Sequence, residues 1–171
     1  MKVELSSEEK RTPSSLRRLT SGQMIAEFLE RAGVPYLVGI PGHGNIAFLD
    51  AFRNHPNIQV LMPRHEQSAV HLADGYYRVT GRPLACYTSI GPGALNTAVG
   101  LGTAFVDSTA VMVFTGDAHT YMFGKGVLQE IERHHNANFP RVMEPLVKRY
   151  WQVTRPDQLP SVLSRAWNEM M

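Results

Sequence analysis

Glu66, in the turn Pro63-Arg64-His65-Glu66-Gln67, is the residue of this 171-residue chain best suited to acid–base chemistry. It separates an apolar run, Ile58 to Met62, from an Ala- and Tyr-rich stretch, Ser68-Tyr77. If these are a strand and the helix that follows it, Glu66 lies at the carboxyl edge of a parallel sheet, where open α/β folds place their ligands. A second turn, Ser89-Ile90-Gly91-Pro92-Gly93-Ala94-Leu95-Asn96, follows the next apolar run. Its glycines carry no side chain, so backbone there can approach a ligand closely. The two turns are expected side by side.

Other patterns carry less chemistry. Gly42-His43-Gly44-Asn45-Ile46-Ala47 has the Gly-x-Gly-x-x-Ala spacing of a dinucleotide turn, with Glu66 roughly where a ribose-binding acid would stand. It departs from that fingerprint because Pro63, Arg64 and His65 precede the acid and Pro41 stiffens the turn, so a purely structural tight turn is the alternative. The seven histidines show no metal-ligand spacing: His65 and His71 are not in His-Glu-x-x-His order, and His134-His135 cannot both face one ion from a helix. Gly116-Asp117 with Asn136 and Asn138 lacks the second glycine and the distance of a Gly-Asp-Gly…Asn magnesium–diphosphate motif. Ser89 has no base at a readable spacing, which argues against a hydrolase triad. No metal site is expected from this chain's own residues.

The elements that position these turns follow from periodicity. Residues Met1 to about Leu19 lack apolar periodicity and read as a flexible arm, 1–19, ahead of a domain spanning 20–171. Ser21 is the expected N-cap of a helix carrying Met24, Ile25, Phe28 and Leu29 on one face and stopped by Gly33. Strands are expected at Tyr36-Ile40, Ile58-Met62, Leu84-Thr88 and Ala110-Thr115, with a short last one at Lys148-Val153. Helices are expected at Asn45-Asn54, Glu66-Thr80 closed by Gly81, Gly93-Phe105, Val127-His134 and Pro156-Met171. Leu159, Val162, Leu163, Ala166, Trp167 and Met170 form the apolar stripe of the last helix. Strands that are apolar throughout, alternating with helices, indicate a sheet buried on both faces. The fold class is therefore α/β, a three-layer sandwich with a mainly parallel sheet flanked by helices. A crossover helix normally leads to a further strand, so the end at Met171 reads as a domain cut one strand early.

Composition bounds the partners. A net charge of +2 spread along the chain argues against nucleic acid. The longest apolar stretch, Ala110-Thr115, is too short for a bilayer, and the N-terminus lacks a signal-peptide core. A lone Cys86 inside an apolar run suits a reducing cytoplasm, which is the expected location.

Taken in order, Ile40-Pro41-Gly42, Pro63-Arg64-His65-Glu66-Gln67, Ser89-Ile90-Gly91-Pro92-Gly93-Ala94-Leu95-Asn96 and Leu128-Gln129-Glu130 resemble the pyrimidine-binding domain of thiamine diphosphate enzymes, in the acetolactate synthase and pyruvate oxidase group. The resemblance covers about Thr20 to Met171. It implies that Glu66 hydrogen-bonds N1′ of the cofactor's aminopyrimidine and so promotes loss of the proton on the thiazolium carbon, while the cofactor carries the carbonyl chemistry. A carboxylate can follow that proton and an amide cannot.

The resemblance further implies that Pro41, Gly42, Ser89, Pro92 and Asn96 line the cofactor and that Gln129 and Lys148 face the substrate. The implied activity is carboligation or decarboxylation of 2-oxo acids. Gly42-His43 stands where acetolactate synthases usually carry Gly-Gly, and Leu128 where they carry an aromatic residue, which bears on the substrate. Pro41-Gly42-His43-Gly44-Asn45, Ser89-Ile90-Gly91-Pro92-Gly93, Gly116-Asp117 and Thr154-Arg155-Pro156-Asp157-Gln158-Leu159 also resemble the trihydroxycyclohexanedione hydrolase of inositol catabolism, an alternative that breaks a C–C bond with the same cofactor. Magnesium and diphosphate are left to another domain, in cis or in a partner chain, within a homo- or hetero-oligomer, so this chain alone is expected to be inactive. FAD remains open as a second cofactor. A non-catalytic interaction domain is the reading of a different class.

Overall fold

The computed structural model describes residues 18–126 and 139–171. Four parallel strands, β1 (Tyr36–Gly39), β2 (Gln59–Leu61), β3 (Leu84–Thr88) and β4 (Val111–Thr115), form one sheet of order β2-β1-β3-β4. The helices are α1 (Ser21–Arg31), α2 (Ile46–Asp50), α3 (Glu66–Thr80), α4 (Pro92–Leu95), α5 (Ala98–Val106), α6 (Phe139–Met143) and α7 (Leu159–Met170). The chain passes to one side of β1 to form β2 and then to the other to form β3. This leaves a topological switch point between β1 and β3, where such sheets bind ligands beyond their carboxyl ends.

The expected three-layer α/β sandwich is present, and the strands explain it residue by residue. Alternate side chains of a strand point to opposite faces. Leu37, Ala85, Tyr87 and Met112 join a core with Ile25, Ala26 and Leu29 of α1 and Leu159 and Leu163 of α7. Val38, Leu84 and Cys86 join a second core with Ala69, Val70 and Ala73 of α3. Burying a side chain such as Leu29 or Leu37, neither of which retains exposure, contributes roughly 1.5–3 kcal/mol. The small residues Ala69, Val70 and Ala73 thus belong to the core, and Gly100 of α5 exists to let α3 close in: a Cβ there would lie 2.7 Å from the Val70 Cβ.

Four expectations change in detail. The first N-cap is Thr20 rather than Ser21, because Thr20 accepts from the Gln23 amide while Gln23 reaches back to the Thr20 N–H, a reciprocal capping box. The second helix becomes 3₁₀ at Ala51–Asn54. The helix expected over Gly93-Phe105 is two helices, broken at Asn96-Thr97, where the buried Thr97 hydroxyl donates to the Ala94 carbonyl instead of leaving the turn continuous. Lys148-Val153 is not a strand: no ladder joins this segment to the sheet among the described residues. Glu66–Thr80 and Leu84–Thr88 stand as expected, with Gly81 at φ +68° closing α3. The helix expected at Val127-His134, with Gln129, and most of the arm lie outside the described residues. No described helix is long and apolar enough to cross a membrane.

Candidate functional site

Three turns meet at the carboxyl edge around the switch point. The first, Ile40–Gly44, follows β1. Its shape is set by Asn45, whose Oδ1 accepts from the Gly42 N–H at 3.0 Å and whose Nδ2 donates to the Ile40 carbonyl at 3.1 Å. Ser89 and Ile90 follow β3 and press against this turn. A Cβ on Gly42 would fall 2.5 Å from the Ser89 Oγ, and one on Gly44 would fall 2.6 Å from the Ile90 Cγ2. Gly116, after β4, closes the group from the other side: its Cβ would meet the Gly44 carbonyl oxygen at 2.8 Å. Only glycine admits this approach of three backbones.

Glu66 opens α3, capped by the His65 ring, whose Nδ1 accepts from the Gln67 N–H at 3.2 Å. The carboxylate is half-buried. Its Oε2 accepts from the Asn96 Nδ2 at 3.0 Å, a bond between residues thirty positions apart. Its Oε1 lies 3.1 Å from where a Gly93 Cβ would stand, and that same point is 3.7 Å from the Ser89 Cβ. Glu66, Gly93, Ser89 and Gly42 therefore form one continuous surface. On it, the Ser89 Oγ is buried without a hydrogen-bond partner, the one such side-chain atom among the described residues. An orphaned hydroxyl costs on the order of 1–3 kcal/mol, so a ligand that supplies its partner gains from it.

Of the residues singled out from sequence, Gly42, Glu66, Ser89 and Asn96 come together on this surface. Pro41 and Pro92 are exposed on the turns that bear it. Lys148 is exposed elsewhere, on the wall of a cavity of about 690 Å³ that includes Ile90, Gly91, Gly116 and Asp117 but not Glu66. Asp117 holds backbone, accepting from the Ala118 N–H at 2.7 Å, and accepts from the Gln152 amide at 3.1 Å. Among the described residues, no three His, Cys, Asp or Glu side chains gather to hold a metal ion. Sequence reasoning missed Asn45 as the clamp of the first turn. The signal was an Asn directly after Gly-x-Gly, a residue type that bonds nearby backbone.

An open parallel sheet with converging glycine turns and one tethered carboxylate at its switch point is the layout of an α/β cofactor-binding domain. The family model described as thiamine pyrophosphate enzyme, N-terminal TPP binding domain, matches residues 19–137, and the chain belongs to that family. It is 32% identical over 152 residues to the acetolactate synthase large subunit of Haemophilus influenzae, covering 89% of this chain and 26% of that protein. It is 33% identical over 160 residues to the acetolactate synthase of Arthrospira platensis, covering 92% of this chain and 27% of the relative. With the acetolactate synthase isozyme 1 large subunit of Escherichia coli K12 the identity is 31% over 156 residues, 91% of this chain and 27% of the relative. The chain thus spans about a quarter of the length of the curated relatives it matches.

Proposed function

We propose that this chain supplies the aminopyrimidine-binding half-site of a thiamine diphosphate enzyme acting on 2-oxo acids, in acetolactate synthase-like carboligation or decarboxylation, with Glu66 as the activating carboxylate. The observation that carries the reading is the Glu66 carboxylate, tethered by Asn96 through Oε2 and lying with Oε1 over the bare α-carbon of Gly93. When bound, the cofactor supplies the nucleophilic carbon for the substrate carbonyl. The chain's own residues orient it. Asn96 fixes the carboxylate rotamer, leaving Oε1 to share one proton with the aminopyrimidine N1′, donating to the ring nitrogen when the carboxyl holds the proton and accepting from N1′–H when the ring does. Gly93 lets a flat ring approach backbone beside Glu66, Gly42 seats against Ser89, the Ser89 hydroxyl gains a partner, and Pro41 and Pro92 stiffen the two turns.

On this reading the diphosphate and Mg²⁺ are held by a second domain, in cis or in a partner chain. The apolar side chains that α3 and α5 leave exposed, Leu72, Val79, Val99 and Val106, support such an association. Gln129 and Lys148 are assigned to the substrate side by resemblance alone.

The test is Glu66→Gln in a complete enzyme carrying this domain. Gln keeps the shape and a hydrogen bond but cannot exchange a proton. Hydrogen–deuterium exchange at the thiazolium carbon of the bound cofactor should slow by roughly 10²–10⁴-fold, with cofactor affinity only modestly lower. A Glu66 that merely complements the α3 dipole predicts instead a loss of about 0.3–1 kcal/mol of stability with exchange unchanged, and that result would overturn the assignment.

A further inference from the structure

Asn45 occupies the N-cap position of α2, yet its side chain makes no cap hydrogen bond. Both ends of the amide are committed backwards, to the Gly42 N–H and the Ile40 carbonyl, and its own N–H donates to the Gly42 carbonyl at 2.9 Å. The residue is only 4% exposed. An Asn at a helix start ordinarily spends its oxygen on the first free amides of that helix. Here α2 goes without that bond so that the turn before it is held at three points.

What the turn delivers is position. With Gly42 fixed, its α-carbon backs directly onto the Ser89 hydroxyl, and with Gly44 fixed, its carbonyl meets Gly116 and its α-carbon meets Ile90. Release of the amide frees Gly42 to move away from Ser89. The surface shared by Gly42, Ser89, Gly93 and Glu66 would then lose one side, whereas the Asn96–Glu66 bond involves neither Asn45 nor Gly42.

We infer that Asn45 is a positioning residue for the cofactor: it acts through Gly42 and Ser89 to preform the wall of the aminopyrimidine site, and it takes no part in proton transfer. The inference rests on the function proposed above and adds a residue and a separable role to it. Its signature is a split between affinity and chemistry, the reverse of that expected for Glu66→Gln.

In the complete enzyme, Asn45→Ala should raise the half-saturating thiamine diphosphate concentration about tenfold, equivalent to ~1.4 kcal/mol. Thiazolium exchange and turnover at saturating cofactor should stay within about twofold of the parent. Asn45→Asp keeps the acceptor for the Gly42 N–H and loses the donor to the Ile40 carbonyl, so its half-saturation should also rise. This near-isosteric variant carries the test if Asn45→Ala does not fold. A variant that melts earlier but binds cofactor as the parent does would make Asn45 a structural residue only and overturn the inference, as would loss of exchange at saturation. Glu66→Gln run alongside separates the readings: unchanged exchange there removes the proposed role of Glu66, whereas unchanged half-saturation in the Asn45 variants removes the role of Asn45.

Discussion

Gly93→Ala separates the site from the fold that carries it. Gly93 sits within the short helix Pro92–Leu95 without a positive φ, so alanine suits its backbone. Replacing a helical glycine contributes roughly 0.5–1 kcal/mol in favour of the folded state. Against this, the new methyl stands 3.1 Å from the Glu66 Oε1 and 3.7 Å from the Ser89 Cβ, so the carboxylate must yield by a few tenths of an ångström. That crowding offsets the helix gain, and the thermal midpoint should move by no more than about 2–4 °C in either direction. The site fares differently. The methyl covers the surface on which a ring would lie and turns Glu66 from its aim, and since a 1 Å misplacement costs on the order of 10²-fold, a loss of about tenfold or more is expected. Thermal melts of the apo-protein, cofactor half-saturation and thiazolium exchange in the complete enzyme measure the two effects separately. A variant with parent-like half-saturation and exchange would refute the claim that Gly93 is the floor of the site.

Acid should weaken the fold through two carboxylates. Burial works against the charge of Asp74, but hydrogen bonds from Thr109 and Arg78 outweigh it and hold its carboxyl below the usual range, while hydrogen bonds from His55 and Asn57 lower that of Glu30. Both folded values lie below the unfolded ones, so the stability they contribute is complete above the ordinary carboxylate range and is lost as pH falls through the folded values. Urea midpoints should therefore decline towards acid pH, and less steeply in Asp74→Asn. The Cys86 thiol, fully buried, is pushed up to about 12, so it should resist thiol reagents in the native state at mildly alkaline pH and react on unfolding. Reaction of the native protein at the rate of a free thiol would contradict that burial.

The layers of the fold were legible because apolarity is local: Leu84–Thr88 is apolar on both faces, and Glu66–Thr80 starts at an acid and is closed by Gly81. What escaped was decided by tertiary contact. Nothing near Ala98 announces that α4 must stop so that the Asn96 amide reaches Glu66, and Lys148-Val153 joins no strand of the sheet among the described residues. Likewise, the site turns were visible as glycine clusters, but a missing Cβ shows its purpose only once the opposing residue is known. Gly42 needs Ser89, and Gly93 needs Glu66.

The bond from Asn96 to Glu66 joins turns that follow β3 and β2, strands that flank β1 without touching each other. No stretch of chain short of both crossovers contains the site. A ligand seated across those turns would grip separate βα units at once and would have no counterpart in the unfolded chain. By mass action it would add to the stability of the whole domain, about 2.7 kcal/mol at a hundredfold excess over its dissociation constant. Occupancy and persistence are then one equilibrium: conditions that starve the site of its ligand would shorten the lifetime of the protein itself.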